Sequence, residues 1–247
     1  MDKPPDKEVP APGSDYAALT REQLIENLVA LEQTQRDAMT RQRNNLIREV
    51  HHRIKNTLQG VTGLLRVKAN QNPELSSVID QTIAQIHTVA VVHGLQGQAQ
   101  NSEVVLCEMV PAIAKTVETV LAPLLAIDVC VEVPQRIRVS EQEAVPIALI
   151  LNELIMNAAK HASVADGRVA TRIVITVFWQ EASRRAMIHI ANPGKLPDGF
   201  DFHNANGLGT GLELVRSLLP LEGSTLSFLS ASGQVITVFE LFSPGIL

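Results

Sequence analysis

Hydrophobic positions in the first third of the chain recur with the period of a helix. Leu24, Leu28 and Leu31 follow a 4-3 spacing, and Ile47, Val50, Ile54, Leu58, Val61 and Leu65 follow 3-4-4-3-4. Between Asp15 and Gln71 there is no proline, and the only glycines are Gly60 and Gly63. The pattern predicts one long helix with a single apolar stripe, which needs a partner to cover it. Asn72-Pro73-Glu74 breaks the period, and Leu75, Ile79, Ile83, Ile86 and Ala90 resume it at 4-4-3-4, as far as His93. Two antiparallel helices leave apolar surface uncovered, so a homodimeric four-helix bundle is the expected arrangement.

Beyond the polar run Gly97 to Ser102 the texture changes. Short β-rich runs at 127–133, 171–180, 186–191, 225–229 and 235–242 mix with helical patterns at 107–121, 141–161 and 211–219. This predicts a two-layer α/β sandwich. The expected organisation is a disordered leader over 1–14, which holds four prolines and little to bury, and a dimerising helical hairpin with a coiled-coil extension over 15–96. A linker over 97–102 and a sandwich over 103–247 complete it. The fold class is multidomain, α plus α/β.

Composition narrows the function. A net charge of −5 over 247 residues argues against a nucleic-acid binder held by phosphate contacts. Cys107 and Cys130 are too few for a disulfide scaffold or a four-thiolate zinc site. The most apolar windows, 120–127 and 144–151, fall short of the roughly 18 residues a membrane helix needs. The N-terminus does not read as a signal peptide, so a cytoplasmic location is expected.

Three clusters carry candidate chemistry. On the first helix, about 100° per residue puts His52 about 140° from Ile47 and His51 only about 40° from it. His52 therefore points away from the seam and His51 flanks it, while Glu49 and Asn56 sit one turn before and after His52. An exposed imidazole with a carboxylate to hold its tautomer and an amide nearby suits a phosphoacceptor; read alone, the same face also suits two solvated histidines. On the 141–161 helix, Glu153, Asn157, Lys160 and His161 share a stripe, a donor set that suits a hard, hydrated Mg²⁺ and phosphate oxygens. Asn206-Gly207-Leu208-Gly209-Thr210-Gly211 runs into a helix, so its backbone N–H groups can approach an anion. No Gly-Lys-Ser/Thr follows, which excludes a Walker A loop. Asn192-Pro193-Gly194 ends a strand, and Asn192 has an acceptor for an exocyclic amine.

His51 to Gln59 resembles the H-box of two-component sensor histidine kinases of the H-R-x-K-N type. Asn152 to His161 resembles the N-box of the gyrase, chaperone, histidine-kinase and mismatch-repair (GHKL) ATPases, and Gly207 to Gly211 their second glycine box. The order matches, and the resemblance covers roughly residues 40 to 245. It implies autophosphorylation from ATP with Mg²⁺ and transfer to an aspartate of a response-regulator receiver domain. By position, His52 is the phosphorylated residue, Asn157 the Mg²⁺ ligand, and Glu153 polarises the chemistry or orders that ion's waters. Lys160 and His161 face nucleotide, while Gly207, Leu208, Gly209, Thr210 and Gly211 form the lid and Asn192 and Gly194 stand at the adenine. Two positions depart from the family. Asn192-Pro193-Gly194 stands where the first glycine box has an aspartate, and Arg53 follows His52 where an acidic residue is commonest, leaving Glu49 as candidate base.

Seven basic residues against one acidic between Arg41 and Asn70 suit an acidic receiver surface. The stimulus is expected from a separate sensor protein, from the coiled coil or from a segment outside this chain. The competing reading is a histidine phosphotransfer adaptor whose sandwich does not bind ATP.

Overall fold

The computed structural model describes residues 20–99, 103–121, 125–133, 136–162 and 171–246. The expected leader over 1–14 and the linker positions 100–102 lie outside them. The chain divides into two compact units, at Leu46/Ile47. The first holds the start of helix α1 (Arg21–Gln71). Thr20 and Gln23 cap α1 reciprocally, Gln23 N donating to Thr20 Oγ1 at 3.3 Å and Thr20 N to Gln23 Oε1 at 2.9 Å. Ile25, Leu28 and Leu31 are exposed there.

In the second unit a 3₁₀ turn (Pro73–Leu75) reverses the chain into α2 (Ser76–Gln98). The face of α1 that meets α2 differs from the expected stripe. His51, Thr62 and Ala69 are its buried residues, while Val50 and Val61 are exposed. The seam is thus turned toward His51, so that His51 lies within it. Leu64 and Val67 are exposed too, giving α1 a second apolar face on the side away from the seam. Helix α2 also outruns the expected boundary: Gly97 and Gln98 are helical, and a β-carbon on Gly97 would sit 3.4 Å from His51 Cβ.

After strand β1 (Val104–Val105) come α3 (Leu106–Leu121), β2 (Leu125–Glu132), β3 (Arg138–Val139) and α4 (Glu141–His161). Strands β4 (Thr171–Gln180) and β5 (Arg185–Pro193), helix α5 (Thr210–Leu218) and strands β6 (Ser224–Ala231) and β7 (Gln234–Leu241) complete the chain. The larger sheet has the order β2-β4-β5-β7-β6, with only the β2–β4 pair parallel. Alternation puts Ile173, Ile175 and Val177 of β4, Ile188 and Ile190 of β5, and Phe239 of β7 on one face, all 0% exposed. Ile113 of α3 and Ile147, Ile150 and Leu151 of α4 cover that face. Each such side chain contributes about 1.5–3 kcal/mol by leaving water. The β1–β3 pair, Val104 opposite Val139, was not expected from the pattern.

Candidate active site

Helix α4 begins at Ser140, whose hydroxyl accepts from Glu143 N at 3.4 Å, with Glu141 and Glu143 in the first turn. Packed between the sheet and helices α2, α3 and α5, it buries polar as well as apolar positions. Glu153 is 1% exposed, and both carboxylate oxygens are engaged. Oε1 accepts from Gln85 Nε2 at 2.9 Å and Asn152 Nδ2 at 3.2 Å, and Oε2 from Gln81 Nε2 at 3.1 Å. Thr88 Oγ1 donates to the fully buried Asn152 at 3.1 Å. Lys160 Nζ donates to Gln81 Oε1 at 3.3 Å, so this cation belongs to the α2 side of α4. A β-carbon on Gly211 would lie 2.6 Å from Glu153 Oε2. Gly211 is therefore where α5 closes on α4.

The adjoining side of α4 walls a cleft of about 210 Å³. It gathers Asn157, His161, Asn192, Gly207 and Gly209, five of the positions expected at the nucleotide. Gly194, Leu208, Thr210, Gly211 and Lys160 are not in its lining. Among the described residues Asn157 Nδ2 is buried without a partner. Asn192 is 3% exposed, and its Nδ2 donates to Pro193 O at 2.9 Å. Among the described residues nothing donates to its Oδ1, which leaves an acceptor. Gly194 supports the cleft from behind. Its φ is +142°, and a β-carbon would approach His161 O to 3.0 Å, so only glycine fits. Gly209 caps α5 with no side-chain bond, and the first helical bond runs from Glu213 N to Gly209 O. The N–H groups of Thr210, Gly211 and Leu212 therefore have no acceptor within the helix.

The cleft also holds residues the motifs did not point to. Lys195 adds a cation, Phe200 and Phe228 an aromatic wall with ring centroids 5.1 Å apart, and Thr237 a hydroxyl. Thr237 was legible in principle as a polar inward position among Val235, Phe239 and Leu241 on β7.

In the hairpin the adjacent histidines take different sides of α1, with His51 inside the seam it was expected only to flank. His52 is exposed, whereas His51 is 7% exposed with its Nδ1 3.0 Å from His93 Nδ1 on α2. Glu49 does not bond His52. Its Oε1 accepts from Arg53 Nε at 2.7 Å, and that bond, then the charge of the guanidinium, lowers the Glu49 pKa below the usual carboxylate value.

Residues 49–120 match the histidine kinase family. The matched segment runs from the H-box helix through α3. Sensor histidine kinase PdtaS of Mycobacterium tuberculosis is 28% identical over 199 residues, 76% of this chain and 37% of the relative. PdtaS of Mycolicibacterium smegmatis is 27% identical over 197 residues, with the same shares. The chain thus spans little more than a third of the length of these curated relatives. The histidine kinase domain of the Erythrobacter litoralis EL346 blue-light activated histidine kinase shares the fold, with a TM-score of 0.56 at 19% identity over 83% of this chain and 94% of that one. A longer structure of the EL346 kinase gives a TM-score of 0.54 at 18% identity, covering 79% and 58%. The sequence is thus similar to part of sensor histidine kinase PdtaS, and the fold to that of the EL346 kinase domain. Among the described residues, no helix is long and apolar enough to cross a membrane.

Proposed function

We propose that the chain is an ATP-dependent protein-histidine kinase that phosphorylates its own His52 and passes the phosphoryl group to an aspartate of a response regulator. One observation carries the reading. Of two neighbouring imidazoles on one helix, His51 is tied across the hairpin, and His52 is left free in solvent.

The cleft residues fit a nucleotide. The unpaired, buried Asn157 Nδ2 is a donor that a phosphate oxygen or ordered water would satisfy, and its amide oxygen suits a hard cation. When bound, ATP with Mg²⁺ supplies the γ-phosphoryl group and neutralises its oxygens. Asn192 Oδ1 and the Thr237 hydroxyl offer polar contacts for an adenine edge, with Phe200 and Phe228 as apolar surface. Lys195 and the free N–H groups at the start of α5 supply positive potential.

His52 attacks through a ring nitrogen whose lone pair is free, and the proton leaves from the other. Glu49 takes that proton only after leaving Arg53, since a carboxylate held by a guanidinium is a weak base. Glu153 accepts from Gln81, Gln85 and Asn152 and lies outside the cleft lining, so its part in catalysis requires a rearrangement of α2 against α4. The exposed apolar face of α1, with Leu64 and Val67, supports a homodimer built on the hairpin.

Incubation with Mg²⁺ and γ-labelled ATP tests the reading. Acid-labile, alkali-stable label is expected on the native chain and on His51→Gln, and none on His52→Gln. Label retained in His52→Gln overturns the assignment. Absence of ATP binding by calorimetry at millimolar concentration would point instead to the phosphotransfer adaptor.

A further inference from the structure

A second cavity, of about 370 Å³, lies in the hairpin beside His52. Arg48, His51, His52, Lys55 and His93 line it, and among the described residues no carboxylate does. Arg48 and Lys55 stand four residues before and three after His52, so both share its flank of α1 and lean toward α2. The facing wall is low because Gly94 and Gly97 occupy it. A β-carbon on Gly94 would lie 3.9 Å from Lys55 Nζ, and one on Gly97 3.4 Å from His51 Cβ.

The two helices are joined here through His51 and His93. With the Nδ1 atoms 3.0 Å apart, one ring must donate and the other accept. Burial, then the charge of His51, pushes the His93 pKa below the ordinary histidine value, against a bond to Gln96 that raises it. A neighbouring dianion would offset that burial cost. Glu49, the acid nearest in sequence, is turned to Arg53 and outside the lining.

We propose that this cavity is a binding site for a tetrahedral phosphate dianion, and that it receives the phosphoryl group carried by His52. Lys55 and Arg48 pair with its oxygens from α1 while His93 donates from α2, so phosphorylation draws the two helices together. The assignment rests on His52 as phosphoacceptor. Positive groups on the oxygens stabilise the dianionic ground state more than a metaphosphate-like transition state, so the site protects the phosphoryl group from water.

Phosphoramidate tests this without nucleotide. A His52 nitrogen forms a bond to phosphorus, the donor's P–N bond breaks, and ammonia carries off the ring proton. The full chain is phosphorylated in this way, and the His52 label is followed at neutral pH by ³¹P NMR and peptide mass. Loss of label is expected to be about three- to tenfold faster in Lys55→Gln and in His93→Gln, and unchanged in Lys68→Gln, a basic residue of the same helix outside the cavity. Circular dichroism checks the fold of each variant, and the partly exposed Lys55 provides the test if His93→Gln unfolds. In a second arm, inorganic phosphate is titrated into unphosphorylated chain while the His51 and His93 ring signals are observed. Movement lost in Lys55→Gln identifies a site that also takes the free anion, and no movement identifies one for the tethered group alone. Equal decay in every variant overturns the proposal and leaves the phosphoacceptor reading intact. Failure of His52 to take label overturns both.

Discussion

At Asn157 a buried amide nitrogen, without a partner among the described residues, stands in the wall of a cleft, an arrangement that costs free energy unless a ligand completes it. Asn157→Asp replaces that donor with a like charge toward phosphate. Autophosphorylation by ATP is expected to fall at least about 100-fold while the circular dichroism spectrum is unchanged. Residue-level chemistry was the part of the site most legible in the sequence. Helical angles set His52 and His51 on different sides of α1, and Asn157, Asn192 and Gly207, singled out by type and spacing, line one cleft. What spacing could not reveal were partners distant in the chain. His93 lies 42 residues from His51, and Gln81 and Gln85 lie 72 and 68 residues from Glu153. Lys160 was expected at phosphate for the same reason: its stripe on α4 is visible, but the helix it meets is not.

Helices α3 and α5 and the five long strands were readable from period because each turns mainly one face to the core, while α4, buried on several sides, kept its helical spacing through Ile147, Leu151, Leu154 and Ala158. The two-residue strands β1 and β3 have no period to read. The α1 seam was misjudged because a histidine and a threonine, His51 and Thr62, occupy core positions and carry no hydrophobic signal. Helix α2 joins the hairpin to the sandwich through Thr88, whose single hydroxyl hydrogen faces both Ala84 O and Asn152 Oδ1. Thr88→Val keeps the shape and removes that donor. Urea unfolding is expected to give a loss of about 1–3 kcal/mol at unchanged m value. The histidines of α2 add a pH dependence. Burial lowers the pKa of both His87 and His93 below 6.5, and that of His189 in the sheet likewise. The unfolded chain therefore binds more protons near that pH, and the contribution to stability, present above about 6.5, is lost as pH falls through the folded-state values. Thermal unfolding is expected at lower temperature at pH 5.5 than at pH 7.5.

For the whole molecule the uncovered feature is the second apolar face of α1. Leu64 is 71% exposed and Val67 54%, and a second copy of the chain would bury both. Leu64→Glu is expected to shift sedimentation from dimer toward monomer with helix content retained; an unchanged sedimentation coefficient would place the dimer contact elsewhere. Gly211 bears on how damage to such a molecule is interpreted. Even alanine there would drive a methyl group onto the Glu153 carboxylate. Inactivity after that exchange would report a wedge forced between two helices, and would say nothing about how freely the loop ahead of it moves.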